Sequence, residues 1–209
     1  GGTFNVWDQQ EWTCLKTVDT GQGHRYAMAE CGGMLATGGS NGLIKLWEQG
    51  TWTCVRTLEG HTTYVNDLVV HGDWLLSCSS DHTVRVWDRT SWECLRVVQT
   101  GHTRGVFSLA VHDGKLYCGG GRNDPTIRVI DTTTWASVGV MEGHTDTVQQ
   151  LLVREGKLFS CSDDKTIKCW PSTEEGGACE QTMEGHTGWV YSMAMCGDKL
   201  VSGSGDKTV

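Results

Sequence analysis

No stretch of the chain sustains a helical period. Short segments of alternating apolar and polar residues, rich in Val, Ile, Leu and Trp, recur between turns of Gly, Asp, Ser and Thr. That is the pattern of half-buried strands joined by tight connections. One stretch shows it in full. Residues 64–70 alternate and run into Gly72-Asp73, residues 74–79 run into Ser80-Asp81-His82, and residues 83–87 and 92–98 complete a set of four. Four related segments are predicted at 106–111, 116–119, 126–130 and 135–141, and three more at 148–153, 158–161 and 166–170. Pro125 and Pro171 fall at turns or edges, where a missing amide breaks no ladder.

The strand sets carry a fixed punctuation. Gly60-His61 is followed by Trp87-Asp88, Gly101-His102 by Ile130-Asp131, and Gly143-His144 by Trp170, with Gly185 opening a further repeat. A period of about 40 to 45 residues with this punctuation marks a propeller of four-stranded blades. With Gly-His, the Asp turn and Trp-Asp in phase, the chain resembles the WD-repeat β-propeller family over essentially its whole length. The resemblance implies an all-β fold of four-stranded antiparallel blades, each repeat supplying the outer strand of one blade and the three inner strands of the next. Repeats are expected near 12–47, 52–87, 92–130, 135–170 and 179–209, with 1–8 the end of a preceding repeat, all in one domain. Strands for about five blades are present. They imply either a closed five-blade ring, in which Trp7 meets His186, Ser202 and Asp206, or part of a seven-blade ring.

Composition narrows the function classes. Asp and Glu (25) outnumber Lys and Arg (17), the formal charge is −8, and no basic run occurs. Direct nucleic-acid binding, which needs clustered cations to displace counterions, is disfavoured. Apolar runs are too short to insert in a bilayer. There is no signal-peptide segment and no initiating Met, so the chain is expected to begin inside a longer product or at a processed end. Cys14, Cys54 and Cys94 recur within Trp-x-Cys, Cys179 at the same place in a later repeat, and no Cys-x-x-Cys is present. They are expected to be buried free thiols rather than metal ligands or disulfides. Ten unpaired thiols suit a reducing compartment, the cytoplasm or nucleus. No cofactor fingerprint and no metal cluster is evident.

Two repeats hold His61, Ser77, Asp81, Trp87 and His144, Ser160, Asp164, Trp170 in phase. His, Ser and Asp together suggest a hydrolase triad, but a triad occurs once in a domain, not once per repeat. The family resemblance implies instead a hydrogen-bonded line from Trp to Ser to His to Asp inside each blade, and no enzyme. Such a line is tolerable half-buried only if every member is paired. The first repeat is expected to place Gln22, Thr37 and Asn41 where His, Ser and Asp stand elsewhere, with His24 in the following loop. The third keeps His102 and Asp124 but has Cys118 for Ser and Ile130 for Trp, so His102 is expected to lack its usual partners.

By the same resemblance, a partner would bind the face that bears the Gly-His turns. Rim positions are Tyr64, Gly105, Thr147 and Trp189, with Arg25 equivalent; two residues further come Asn66, Phe107, Gln149 and Tyr191. Asn123 and Asp163 join from the Asp turns, and Arg104 from the turn after Gly101-His102. Aromatic and Arg groups are the usual interface anchors, and a basic, aromatic patch suits an acidic or phosphorylated peptide. The expected role is a noncatalytic scaffold for other proteins or peptides, including a large multiprotein complex. The alternative is the substrate-recognition part of a ubiquitin ligase whose other modules lie outside this chain.

Overall fold

The computed structural model describes residues 2–24, 27–171 and 177–209. Twenty strands follow one another among these residues, with no helix between them. A two-stranded sheet comes first, β1 (Thr3–Trp7) with β2 (Cys14–Asp19). Four sheets of four strands follow: β3 (Ala27–Glu30), β4 (Met34–Gly38), β5 (Ile44–Glu48) and β6 (Cys54–Leu58) form the first blade. The second is β7 (Val65–His71), β8 (Trp74–Ser79), β9 (Thr83–Asp88) and β10 (Cys94–Gln99). The third is β11 (Val106–His112), β12 (Lys115–Gly120), β13 (Ile127–Asp131) and β14 (Ser137–Met141). The fourth is β15 (Val148–Arg154), β16 (Lys157–Ser162), β17 (Ile167–Pro171) and β18 (Gln181–Met183). A second half-blade, β19 (Val190–Cys196) with β20 (Lys199–Ser204), closes the series.

Every pairing is antiparallel between sequence neighbours, which short turns permit. In the third blade Asp113 and Gly114 both hold positive φ (47° and 70°) between His112 and Lys115. Such a two-residue turn matches the twist of its strands, and Asp-Gly is well suited to it. The innermost strands β3, β7, β11, β15 and β19 pack in succession. Their sheets stand face to face, and one apolar cluster fills each seam. Ala36, Ile44 and Leu46 meet Val65, Leu68 and Leu75 between the first two blades. Leu76, Cys78 and Val86 meet Val106, Leu109 and Leu116 at the next seam. Each such side chain, fully buried, stabilises the fold by about 1.5–3 kcal/mol.

The tryptophans of Trp-x-Cys are wedges in these seams. Each sits in the turn before an outermost strand with φ near 60°. Trp92 is 9% exposed against the first blade's core, and Trp135, at the same place in a repeat that has Ser137 for Cys, packs on Trp74 with centroids 5.5 Å apart. Trp12 has no preceding blade behind it among the described residues and is 78% exposed. Their cysteines correct the expectation of burial. Cys14, Cys54 and Cys94 are exposed, whereas Cys78, Cys118 and Cys161 are buried. The reason is position: the former open outermost strands, most of whose residues face solvent. The cysteines are all free thiols.

The two half-blades are separate sheets. Phe4 and Val18 pack on Trp47 of the first blade, while Val190 and Met193 pack on Cys161 and Ile167 of the fourth. Trp7 is 56% exposed and makes no hydrogen bond to Ser202 among the described residues, unlike its counterparts Trp47, Trp87 and Trp170 at 4%, 3% and 0%. The strands therefore form an open arc, without the five-blade seal through Trp7.

Candidate functional site

The polar residues of the repeats are consumed inside the blades. In the second blade Trp87 Nε1 donates to Ser77 Oγ (2.9 Å), and Ser77 Oγ lies 2.8 Å from His61 Nε2. His61 Nδ1 in turn lies 2.8 Å from Asp81 Oδ2. Since a carboxylate only accepts, the proton sits on Nδ1, and the Ser77 hydroxyl donates to Nε2. The fourth blade repeats the line through Trp170, Ser160, His144 and Asp164, at 2.8, 2.7 and 2.6 Å. In the last half-blade His186 bonds Ser202 and Asp206 at 2.8 and 2.9 Å. Desolvation of Asp81 and Asp164 opposes their charge. Hydrogen bonds from the imidazole and from Thr83 or Thr166 outweigh it and hold both carboxyls well below the usual range. Ser77 and Ser160 are fully buried, so neither hydroxyl is open to a substrate.

The first blade solves the same problem with an amide. Trp47 Nε1 donates to Thr37 Oγ1 (2.8 Å), and Thr37 donates to Gln22 Oε1 (2.6 Å). Gln22 Nε2 then donates to the Thr37 and Leu43 carbonyls. Asn41 does not complete this line: its Oδ1 accepts from Leu43 N within its own turn. Gln22 carries its own donor, which carbonyls satisfy, so no carboxylate equivalent is needed.

The third blade differs. His102 Nε2 faces the Thr126 carbonyl (3.3 Å), and Nδ1 faces the Thr100 hydroxyl (2.9 Å). A carbonyl only accepts, so here the proton belongs on Nε2. Asp124 takes Thr103 N and Thr126 Oγ1 instead of the ring. Burial pushes the His102 pKa down to about 4. Gly120 makes this possible. A Cβ there would lie 2.5 Å from the His102 ring and 2.1 Å from the Asp124 carbonyl. The equivalent Ser79 and Ser162 each accept their Asp-turn amide instead.

Around the arc's inner edge the innermost strands share one irregularity. The register slips between Val65 and Asp67, Val106 and Ser108, Val148 and Gln150, and Val190 and Ser192. The bulged residues are Asn66, Phe107, Gln149 and Tyr191, and a bulge re-aims a side chain out of the ladder. Asn66 Nδ2 bonds Ser80 Oγ (2.9 Å) and Val106 O (2.7 Å), and Gln149 Nε2 bonds Asp163 Oδ1 (2.8 Å). Backbone bonds tie Tyr64 to Ser80, Thr147 to Asp163 and Trp189 to Gly205, bringing the Gly-His and Asp turns onto one face. On that face Tyr64, Trp189 and Tyr191 are 45%, 50% and 49% exposed, and Trp189 meets Tyr191 edge-to-face at 6.2 Å. Phe107 is half-buried, and Arg104 and Asn123 are exposed. A cavity of about 480 Å³ is lined by His24, Tyr64, Ser80 and Phe107. A second of about 290 Å³ is lined by Lys165, Thr187, Gly188, Trp189, Tyr191 and Gly205. Arg25 lies outside the described residues.

The residue after each bulge spans the seam to the next blade, a role the sequence reading missed. Asp67 Oδ2 accepts from Leu109 N (2.8 Å), Ser108 Oγ donates to Val148 O (3.2 Å), and Gln150 Oε1 accepts from Met193 N. Burial raises the Asp67 pKa to about 6 despite its two backbone hydrogen bonds. The signal was a polar residue at one fixed offset from His, visible only once the seam is known. Among the described residues no cluster of His, Cys, Asp and Glu could hold a metal, and no helix is long and apolar enough to cross a membrane.

Known proteins resemble the chain at two levels. The family model for "WD domain, G-beta repeat" matches residues 52–88, 135–171 and 177–209, together just over half of the chain. Among solved structures, a computationally designed protein, Ika8, is 27% identical with a TM-score of 0.80, over 99% of this chain and 64% of its own. The WD40 β-propeller domain of Doa1 is 25% identical with a TM-score of 0.81, over 93% of this chain and 65% of its own. A chain of the mitotic checkpoint complex is 22% identical with a TM-score of 0.89, over 99% of this chain and 66% of its own. The chain thus spans just under two thirds of each of these relatives. No curated protein sequence matches it at a significant level.

Proposed function

Because the chain belongs to the WD-domain, G-beta repeat family, whose propellers generally serve as protein-interaction scaffolds, we propose that it binds a partner protein or peptide on the face bearing its Gly-His turns. One observation carries this reading. The chemically capable residues of the motif are buried and paired within the blades, while the same turns leave Tyr64 and Trp189 exposed and the adjoining bulge leaves Tyr191 exposed. Large aromatic groups at the mouth of a concavity are the usual anchors of an interface. The reading is noncatalytic: the His-Ser-Asp grouping recurs from blade to blade, and each Ser oxygen of the complete lines is held by an indole N–H. A recurring, sealed hydroxyl lacks the access a nucleophile needs. That one structural relative comes from a multiprotein complex is compatible with a role in an assembly.

A pull-down comparing the wild type with Tyr64→Ala and Trp189→Ala tests the face. Binding should fall in both, and Lys199→Ala, at the start of β20 beside the far end of β19, should leave it unchanged. Full retention of partners by both aromatic variants would refute the assignment.

A further inference from the structure

The cations of this acidic chain are almost all engaged. Lys115 pairs with Asp131 and Arg122 with Asp146; Arg85 and Arg89 cap backbone carbonyls, and Arg96 lies over Trp135. Among the described residues the exceptions are Arg104, Lys165 and Lys207, which are exposed and make no ion pair, side-chain hydrogen bond or ring contact. All three lie on the face proposed above. Arg104 is in the turn after Gly101-His102, and Lys165 and Lys207 each follow the aspartate of an Asp turn.

Glu59, Glu142 and Glu184, each just before a Gly-His pair, are exposed, but the aspartates nearer the arc's inner edge are turned inward. Asp81, Asp164 and Asp206 take imidazole and amide donors, Asp124 takes Thr103 and Thr126, and Asp163 takes Gln149. Lys165 shares a cavity of about 290 Å³ with Trp189 and Tyr191. Unpaired cations and exposed aromatics thus occur together there.

From this placement, and resting on the interaction reading, we propose that the face takes an acidic, unphosphorylated peptide segment. Its spaced carboxylates would meet Arg104, Lys165 and Lys207, and an apolar side chain would enter beside Trp189. The cations belong to three successive units of the arc, one to each. A phosphate dianion favours donors that converge, best in an Arg fork. Cations spread over separate blades suit an extended chain with one charge at each step. The chain's net charge of −8 opposes an acidic partner only at long range, and at physiological salt that field is screened beyond about 8 Å.

The test uses fluorescence anisotropy with a labelled glutamate-rich peptide carrying one Phe. Its glutamine counterpart and a version with phosphoserine replacing the glutamates serve as comparisons. The glutamate peptide should bind, with affinity falling as salt rises. The glutamine peptide, and the Arg104→Glu/Lys165→Glu/Lys207→Glu protein, should each bind at least about tenfold more weakly. Lys199→Glu, distant from the face, should match the wild type, and circular dichroism checks that each variant is folded. Equal binding of the glutamine peptide, an unaffected triple variant, binding of the phosphoserine peptide alone, or no binding of any peptide overturns the proposal. Glutamine and glutamate peptides that bind equally but are both lost with Trp189→Ala would retain the face and discard its acidic preference. Bound peptides indifferent to Trp189→Ala would discard the face itself.

Discussion

The second and third blades share strand order, register and apolar seam, yet handle their histidines oppositely. In the second, an indole N–H fixes Ser77, Ser77 donates to His61, and the ring proton points to Asp81. In the third, the side chain of Ile130 offers no N–H and that of Cys118 no hydroxyl, and His102 swings to Thr100 and Thr126 over the bare backbone of Gly120. A buried imidazole must pair both nitrogens, but which groups pair them is open. The line is therefore a cooperative unit: remove its donor end and the ring re-pairs elsewhere.

The sharpest way to break the comparison is at Gly120. Gly120→Ser would drive a side chain into the His102 ring and the Asp124 carbonyl and should cost about 3 kcal/mol. The mirror change, Ser79→Gly, should cost about 1–2 kcal/mol through lost bonds to Thr63 and Asp81. Urea unfolding of both variants measures the difference, and equal losses would contradict the account.

The next effect lies in the line itself. Ser77→Ala leaves the Trp87 N–H and the His61 Nε2 buried without their partner, worth roughly 2–4 kcal/mol. Cys118→Ala removes only a packed sulfur, about 1 kcal/mol. Calorimetry on the pair should show this order, and a reversal would mean the line adds no cohesion.

A subtler effect lies in the acid range, at the seam the two blades share. His102 has its pKa lowered to about 4 by burial. Between that value and the unfolded value near 6.5 the unfolded chain binds the extra proton, so stability from this group rises with pH. Asp67 has its pKa raised to about 6. Between the unfolded value near 3.9 and that value the folded chain holds the extra proton, so stability from this group falls as pH rises. Each is worth roughly 3 kcal/mol across its window, and between about pH 4 and 6 they oppose. Asp67→Asn should therefore steepen the rise of stability with pH, and His102→Gln should turn it into a fall. Parallel pH profiles for the two variants would contradict the pairing.

Much of this could be read from the residues. The period and its punctuation marked blades because the motif couples one strand to the next, and the in-phase spacing of His61, Ser77, Asp81 and Trp87 put them in one blade. Gln22 was recognisable as the stand-in for His because the distance to Trp47 preserved the repeat. Three things were not legible. Asn41 has the size of an Asp, but whether it reaches Gln22 depends on where the amide finds its acceptors. The thiols of Trp-x-Cys recur as core residues do, yet recurrence does not say which side of an outer strand faces water. The bonds from Asp67, Ser108 and Gln150 cross between blades, and their partners are backbone groups about 40 residues away, so no side-chain pattern announces them.

The central claim is that each blade's own donors decide where its histidine carries its proton. Long-range nitrogen–proton NMR of the imidazole rings at neutral pH reads this directly. The account predicts His61 and His144 protonated on Nδ1 and His102 protonated on Nε2. One common tautomer for all three rings would contradict it.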